Sequence, residues 1–115
     1  MRKQIFILLS ALFISSSFLG CDDEYPVQYT YIVDGTALDY NVTIQNADKK
    51  VEHFPSVVCG WNYKWFQTGT RWLSISAQNN TTEGSVSVHI YKGEVEVATQ
   101  TSSDSAAIVT VSGVY

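Results

Sequence analysis

Two cysteines, two histidines and three tryptophans are the residues best equipped for chemistry in this chain of 115 residues. Cys59 could act as a nucleophile or redox switch if a nearby base or helix N-terminus lowered its pKa. His53 is close in sequence, but strand geometry does not by itself bring the two together. The alternative for Cys59 is a small buried apolar residue among Val57, Val58 and Trp61. Neither His53 nor His89 has further histidines, cysteines or carboxylates at metal-ligand spacing, so the sequence supports no metal site and no cofactor is expected. His89 reads as a solvent-facing strand residue. No GxSxG and no paired-carboxylate arrangement is recognisable, so no catalytic residue is assigned.

The aromatic residues offer binding rather than reaction. Trp61, Tyr63 and Trp65 share a face at period two, with Phe66 on the other face and Trp72 on the next strand. Rings at this density fill a core or form a stacking platform for sugar rings or apolar ligands. Three rings on one face of a small domain are not all expected to be central, so at least one is expected at the surface. Trp61, Trp65 and Trp72 are therefore the candidate ligand-binding residues. Gln78 and Asn79, at a strand end, have amides that suit either a ligand or the backbone of a turn.

Cys21 stands in a different context. Arg2 and Lys3 precede the apolar run Ile5 to Ile14, and Ser15-Ser16-Ser17 dilutes that character before Leu19-Gly20. This is the positive, apolar, small-residue order of a secretory signal. The run is about half the ~20 apolar residues a membrane-crossing helix needs, which favours a removed signal over a permanent span. Leu19, Gly20 and Cys21 resemble a bacterial lipobox, in which the cysteine is lipidated and becomes the new N-terminus; Phe18 stands where an aliphatic residue is commoner. Acyl chains contribute about 0.8 kcal/mol per buried methylene, so more than one chain anchors stably. Asp22-Asp23-Glu24 would be repelled by anionic headgroups and keep the tether in water. In one group of Gram-negative bacteria such an acidic run resembles a surface-export signal, and in enteric bacteria an aspartate at position 22 resembles an inner-membrane retention signal. The expected organisation is a signal peptide over 1–20, an acidic tether over 21–28 and a folded domain over 29–115. The expected address is the cell envelope, at the outer membrane and its surface or at the inner membrane.

Without residues 1–20, five basic side chains face eleven acidic ones, a net charge of −6. That balance repels phosphate backbones, and no basic stripe is present to release counterions, so nucleic acid is not an expected partner. The remaining 95 residues suffice for one small domain, which buries roughly 60–70 % of its unfolded surface and needs neither metals nor several disulfides.

From Tyr29 onward no window carries apolar residues at helical spacing. Leu38, Tyr40, Val42 and Ile44 alternate with polar residues, and so do Leu73, Ile75 and Ala77, Val86, Val88 and Ile90, Val95 and Val97, and Ala107, Val109 and Val111. Each set predicts a strand with one buried and one wet face. Turn signals such as Asp34-Gly35, Asn46-Ala47-Asp48, Thr68-Gly69, Asn79 to Gly84, Lys92-Gly93 and Ser102 to Ser105 recur every 8–12 residues or so, as in an antiparallel sandwich or barrel. Lys92-Gly93 suits a tight hairpin. Pro55 lacks the N–H of a central strand and belongs at an edge or in a bend between sheets.

Trp72-Leu73-Ser74-Ile75-Ser76-Ala77-Gln78-Asn79 followed by Gly84 to Gly93 resembles the MmpS-like family of small envelope proteins, as do Val33 to Ala37 and Val42-Thr43-Ile44 upstream. Cys59-Gly60 replaces the Leu-Pro that the family carries before Trp61, and a lipid anchor replaces the membrane helix of its transporter-linked members. The resemblance spans about Tyr29 to Tyr115 and implies an immunoglobulin-like β-sandwich, expected here with about seven strands, and, for the members tied to large lipid exporters, an accessory role without catalysis. The expected function is that of a non-enzymatic envelope lipoprotein that binds an envelope protein or lipid; the alternative is a glycan-binding module of a surface polysaccharide-handling system.

Overall fold

The computed structural model describes residues 25–115. The expected signal peptide, Cys21 and Asp22-Asp23-Glu24 lie outside the described residues. Eight strands follow one another: β1 (Val27–Gly35), β2 (Tyr40–Gln45), β3 (Val51–Val57), β4 (Trp61–Gln67), β5 (Trp72–Asn79), β6 (Val86–Lys92), β7 (Val95–Ser102) and β8 (Ile108–Val114). They form two four-stranded antiparallel sheets, ordered β4-β1-β6-β7 and β3-β2-β5-β8. The fold is an all-β sandwich with eight strands rather than about seven. β1 opens at Val27, two residues before Tyr29.

Alternation of side chains explains which face of each sheet is buried. Tyr29, Tyr31 and Val33 of β1 point inward with Val86, Val88 and Ile90 of β6, and meet Tyr40, Val42, Ile44, Leu73, Ile75, Ala77 and Val109 from the other sheet. Tyrosines would leave costly buried hydroxyls in such a core unless each found a partner. Each does. The Tyr31 hydroxyl crosses the sandwich, donating to the Gln45 carbonyl at 2.8 Å and accepting from the Ser74 N–H at 3.2 Å. Burial pushes this hydroxyl up to about 12, against the lowering pull of the Ser74 N–H. The Tyr40 hydroxyl donates to the Ser85 carbonyl and accepts from the Ala37 N–H, and that of Tyr29 lies 3.3 Å from the carbonyls of Gly69 and Tyr115.

Pro55 lies on β3, an edge strand, where no neighbour needs its missing N–H. Opposite Asn41 the register slips, and Ser56 takes a positive φ of 61°. The resulting bulge is fixed by Asn41 Oδ1, which accepts from the Ser56 N–H, and by Asp39, which accepts from the Ser56 hydroxyl at 2.7 Å. Lys92 pairs with Val95 across a two-residue hairpin at Gly93-Glu94, with Gly93 at φ 64°.

Two sequence expectations need correction. Leu38 does not share the buried face of Tyr40, Val42 and Ile44; it precedes β2, in the connection that crosses between sheets, and is 83 % exposed. Val95 is exposed as well, because it closes the hairpin at the end of an edge strand.

Candidate functional site

The three tryptophans occupy three different environments. Trp65 is the most buried, its ring stacked 5.6 Å from Tyr29 and tilted 4.8 Å from Tyr31, under the Arg71 guanidinium at 5.6 Å. Its indole N–H donates to Gln67 Oε1 at 2.7 Å. Trp61 is half-buried on edge strand β4 and tilts against Phe54 of β3 at 5.0 Å, so these two rings close the sandwich between its sheets. Trp72 points the other way. Its neighbour Leu73 fills the core, which puts the Trp72 indole on the outer face of the β3-β2-β5-β8 sheet, 52 % exposed.

Pairing defines what surrounds it. Directly opposite residues of an antiparallel pair share a face. Thr43 lies opposite Ser76, Ser76 opposite Thr110, Ser74 opposite Ser112, and Trp72 opposite Val114. The outer face is thus a field of short hydroxyl side chains, with the apolar Val51, Trp72, Ile108 and Val114 exposed around it. A shallow groove of about 210 Å³ is lined by Thr43, Gln45, Val51, Trp72, Ser74 and Ser76. The Thr110 hydroxyl donates to that of Ser76 at 3.0 Å, and Thr43 meets His53 Nδ1 at 3.0 Å. The Oε1 of Gln45 is buried and finds no partner among the described residues. A flat indole beside several hydroxyls and amides can cover the C–H face of a ligand and hydrogen-bond its polar groups at once.

A second concavity, of about 540 Å³, opens where two connections between the sheets approach each other: Thr36-Ala37-Leu38 and Thr81 to Gly84. Asn79 is wholly buried and braces one wall from behind. Its amide donates to the carbonyls of Glu83 and Gly84, while its Oδ1 accepts from the N–H and hydroxyl of Thr81. Asn79 therefore satisfies turn backbone. Gln78, on the outer face of β5 opposite Asn41 and Ile108, is only half-buried.

Cys59 is exposed, not packed as a small core residue, and its thiol donates to the Gly35 carbonyl at 3.3 Å. It sits in the tight connection between β3 and β4, where the backbone of Val58 and Trp61 closes a turn (the Trp61 N–H donates to the Val58 carbonyl) and Val58 is exposed, while Val57 and the Trp61 ring pack toward the core. His53 faces Thr43 on the sheet, so the two residues have separate partners.

His89 lies on the outer face of β6, where alternation puts it, but its ring is engaged there rather than free in solvent. The sheet brings Asp34 of β1 and Glu96 of β7 to its two ring nitrogens: Nε2 lies 3.1 Å from Asp34, and Nδ1 2.6 Å from Glu96 and 3.1 Å from the Thr99 hydroxyl. Burial is the largest single influence and lowers its pKa, but hydrogen bonds to Glu96 and Asp34, with the charges of both, outweigh it and leave the pKa above the ordinary 6.5. A raised folded-state pKa adds stability that is complete below the unfolded value and is lost as pH rises through the folded value. Relative to His89→Gln, the protein is therefore expected to be stabilised by under about 1 kcal/mol in acid, since solvent screens this open cluster. That advantage fades as pH climbs past 6.5 and through the raised value. Urea unfolding of both proteins from pH 5 to 8 reads the difference; parallel pH profiles would remove the charged cluster from the account.

Comparison with known proteins gives no matching family model and no similar curated protein, so the chain stands as a two-sheet all-β sandwich.

Proposed function

We propose that this chain is a non-enzymatic, lipid-anchored domain of the cell envelope that binds an envelope protein or lipid through the outer face of the β3-β2-β5-β8 sheet. The observation that carries this reading is the exposed Trp72 indole, flanked by Val114 and close to a groove that Val51 also lines. Exposed aromatic and aliphatic side chains clustered on a sheet face are suited to burial against a partner, and a large aromatic is the usual anchor of such contacts. The likeness of Trp72 to Asn79 and Gly84 to Gly93 to MmpS-like proteins supports an accessory role. A lipid on Cys21 would hold the domain at the membrane and raise its effective concentration there.

A glycan is the second reading, favoured by the hydroxyls of Thr43, Ser74 and Ser76 beside the indole. Trp72 fluorescence, isolated by comparing the protein with Trp72→Ala, should respond to the true ligand class when vesicles of envelope lipids and a polysaccharide panel are titrated in turn. Loss of a central aromatic anchor typically costs about 2 kcal/mol or more, roughly a 30-fold weaker Kd. Thermal stability should change little, because the ring packs outside the core. Binding that survives Trp72→Ala undiminished would move recognition elsewhere. The anchor is tested separately: radiolabelled palmitate should enter the full chain and fail to enter Cys21→Ala, which should leave the membrane fraction.

A further inference from the structure

Each sheet ends in strands whose free backbone edge can template another strand, and natural proteins blunt such edges with charges, proline or bulges. Three of the four edges here are blunted. β3 carries Glu52, Pro55 and the Ser56 bulge; β4 carries Lys64; β7 carries Glu96 and a register shift opposite Ile90 and Tyr91. β8 has none of these devices. Its seven residues, Ile108-Val109-Thr110-Val111-Ser112-Gly113-Val114, contain no charge and no proline, and they pair with β5 without interruption. Among the described residues β8 ends its sheet, and β7 lies across the sandwich from it without a backbone hydrogen bond between them.

We propose that the free edge of β8 pairs antiparallel with β8 of a second copy of this chain, joining two sheets into one of eight strands. The sequence of the strand is complementary to itself about Val111. With the two-fold axis there, Ile108 falls opposite Val114 of the second copy and Thr110 opposite its Ser112, all on the outer face. Ile108 and Val114 are 62 % and 66 % exposed in the single chain, so the pairing covers both of these apolar side chains twice over. The hydroxyl row of Ser76 and Thr110 would continue into its symmetry mate, and no like charges would meet. Lys64 lies at the middle of β4 and would meet its own copy across such an axis, while Pro55 and the bulge at Ser56 interrupt β3 and a register shift interrupts β7, so β8 is the edge that fits a second copy in this register. Two-fold pairing of this kind is closed, so it stops at a dimer.

Sedimentation of the full chain in detergent should read two chains per particle. Thr110→Lys with Ser112→Lys puts lysines opposite lysines at two places and should give one chain per particle with an unchanged circular dichroism spectrum. A crosslink tests the register independently of any loss of folding. In a background of Cys21→Ser and Cys59→Ser, which removes both native thiols, Val111→Cys lies opposite itself, about 4.5–5.5 Å away between Cβ atoms, and should oxidise to a linked dimer. Ile108→Cys lies six residues from its mate, roughly 20 Å along the strand at ~3.4 Å per residue, and should not. A single-chain particle at every concentration, a dimer that tolerates both lysines, or equal linking at positions 108 and 111 would overturn the pairing. These readouts are independent of Trp72 and of lipid on Cys21.

Discussion

Trp65→Ala is expected to lower the free energy of unfolding by about 3–5 kcal/mol, the usual cost of deleting a large aromatic side chain from a packed interior. The ring is the hub of an aromatic cluster: Tyr29 stacks on one part of it, Tyr31 tilts against it at 4.8 Å, and Tyr63 lies 5.6 Å away. Removing it leaves a void that three stiff tyrosines cannot collapse into, because Tyr29, Tyr31 and Tyr63 are each held at the hydroxyl by a backbone group elsewhere. The Arg71 guanidinium would lose the ring beneath it, while its Nη atoms stay committed to the carbonyls of Asn46 and Ala47. Against a total stability of roughly 5–15 kcal/mol for a domain of ordinary stability, the variant would be close to unfolding. Urea titration followed by circular dichroism gives the number; a loss below about 1 kcal/mol would mean that Trp65 is not the packing hub.

The second large effect is expected at Gly84. Its φ of 90° is one that side-chain-bearing residues seldom adopt, and a Cβ there would sit 2.7 Å from both the N and the Cα of Ala37. Backbone strain of this kind costs about 1–3 kcal/mol, and overlap with a neighbouring main chain adds to it. Gly60 separates the two contributions. Its φ is almost the same, 91°, yet a Cβ there would meet nothing within 4 Å. Gly60→Ala should therefore cost only the conformational part, and Gly84→Ala clearly more. Because Gly84 and Ala37 line the same 540 Å³ cleft, the alanine should also loosen the loop that Asn79 holds. Equal melting temperatures for the two variants would show that the connections between the sheets yield without resistance.

Period-two alternation made much of this architecture legible. Val86, Val88 and Ile90, like Leu73, Ile75 and Ala77, are buried where the pattern puts them, because a strand has only two faces and one must meet the opposite sheet. Pro55 on an edge and the Gly93 hairpin were equally readable, since each rests on a local backbone property. The same alternation misplaced Leu38, for it runs one step past the strand into a crossing connection, and pattern carries no mark of where hydrogen bonding stops. Period two also put Trp61 and Trp65 on one face without telling which is central. That depends on the opposite sheet, whose Phe54 meets Trp61 at the rim. Alternation put His89 on the outer face of its strand but gave no sign of its partners, because Asp34 lies 55 positions away and arrives only through pairing of β1 with β6. The exposed thiol of Cys59 was hidden for the opposite reason: apolar residues beside it in the sequence suggested a core where the chain makes a turn.

The place of β1 between β4 and β6 has a mechanical consequence. Tension arriving from the amino side of Val27 runs along β1 while both antiparallel neighbours grip it over almost its full length. The hydrogen bonds on its two flanks are then loaded together, in shear, instead of opening one after another like a zipper. A domain built this way resists being drawn out from its amino end.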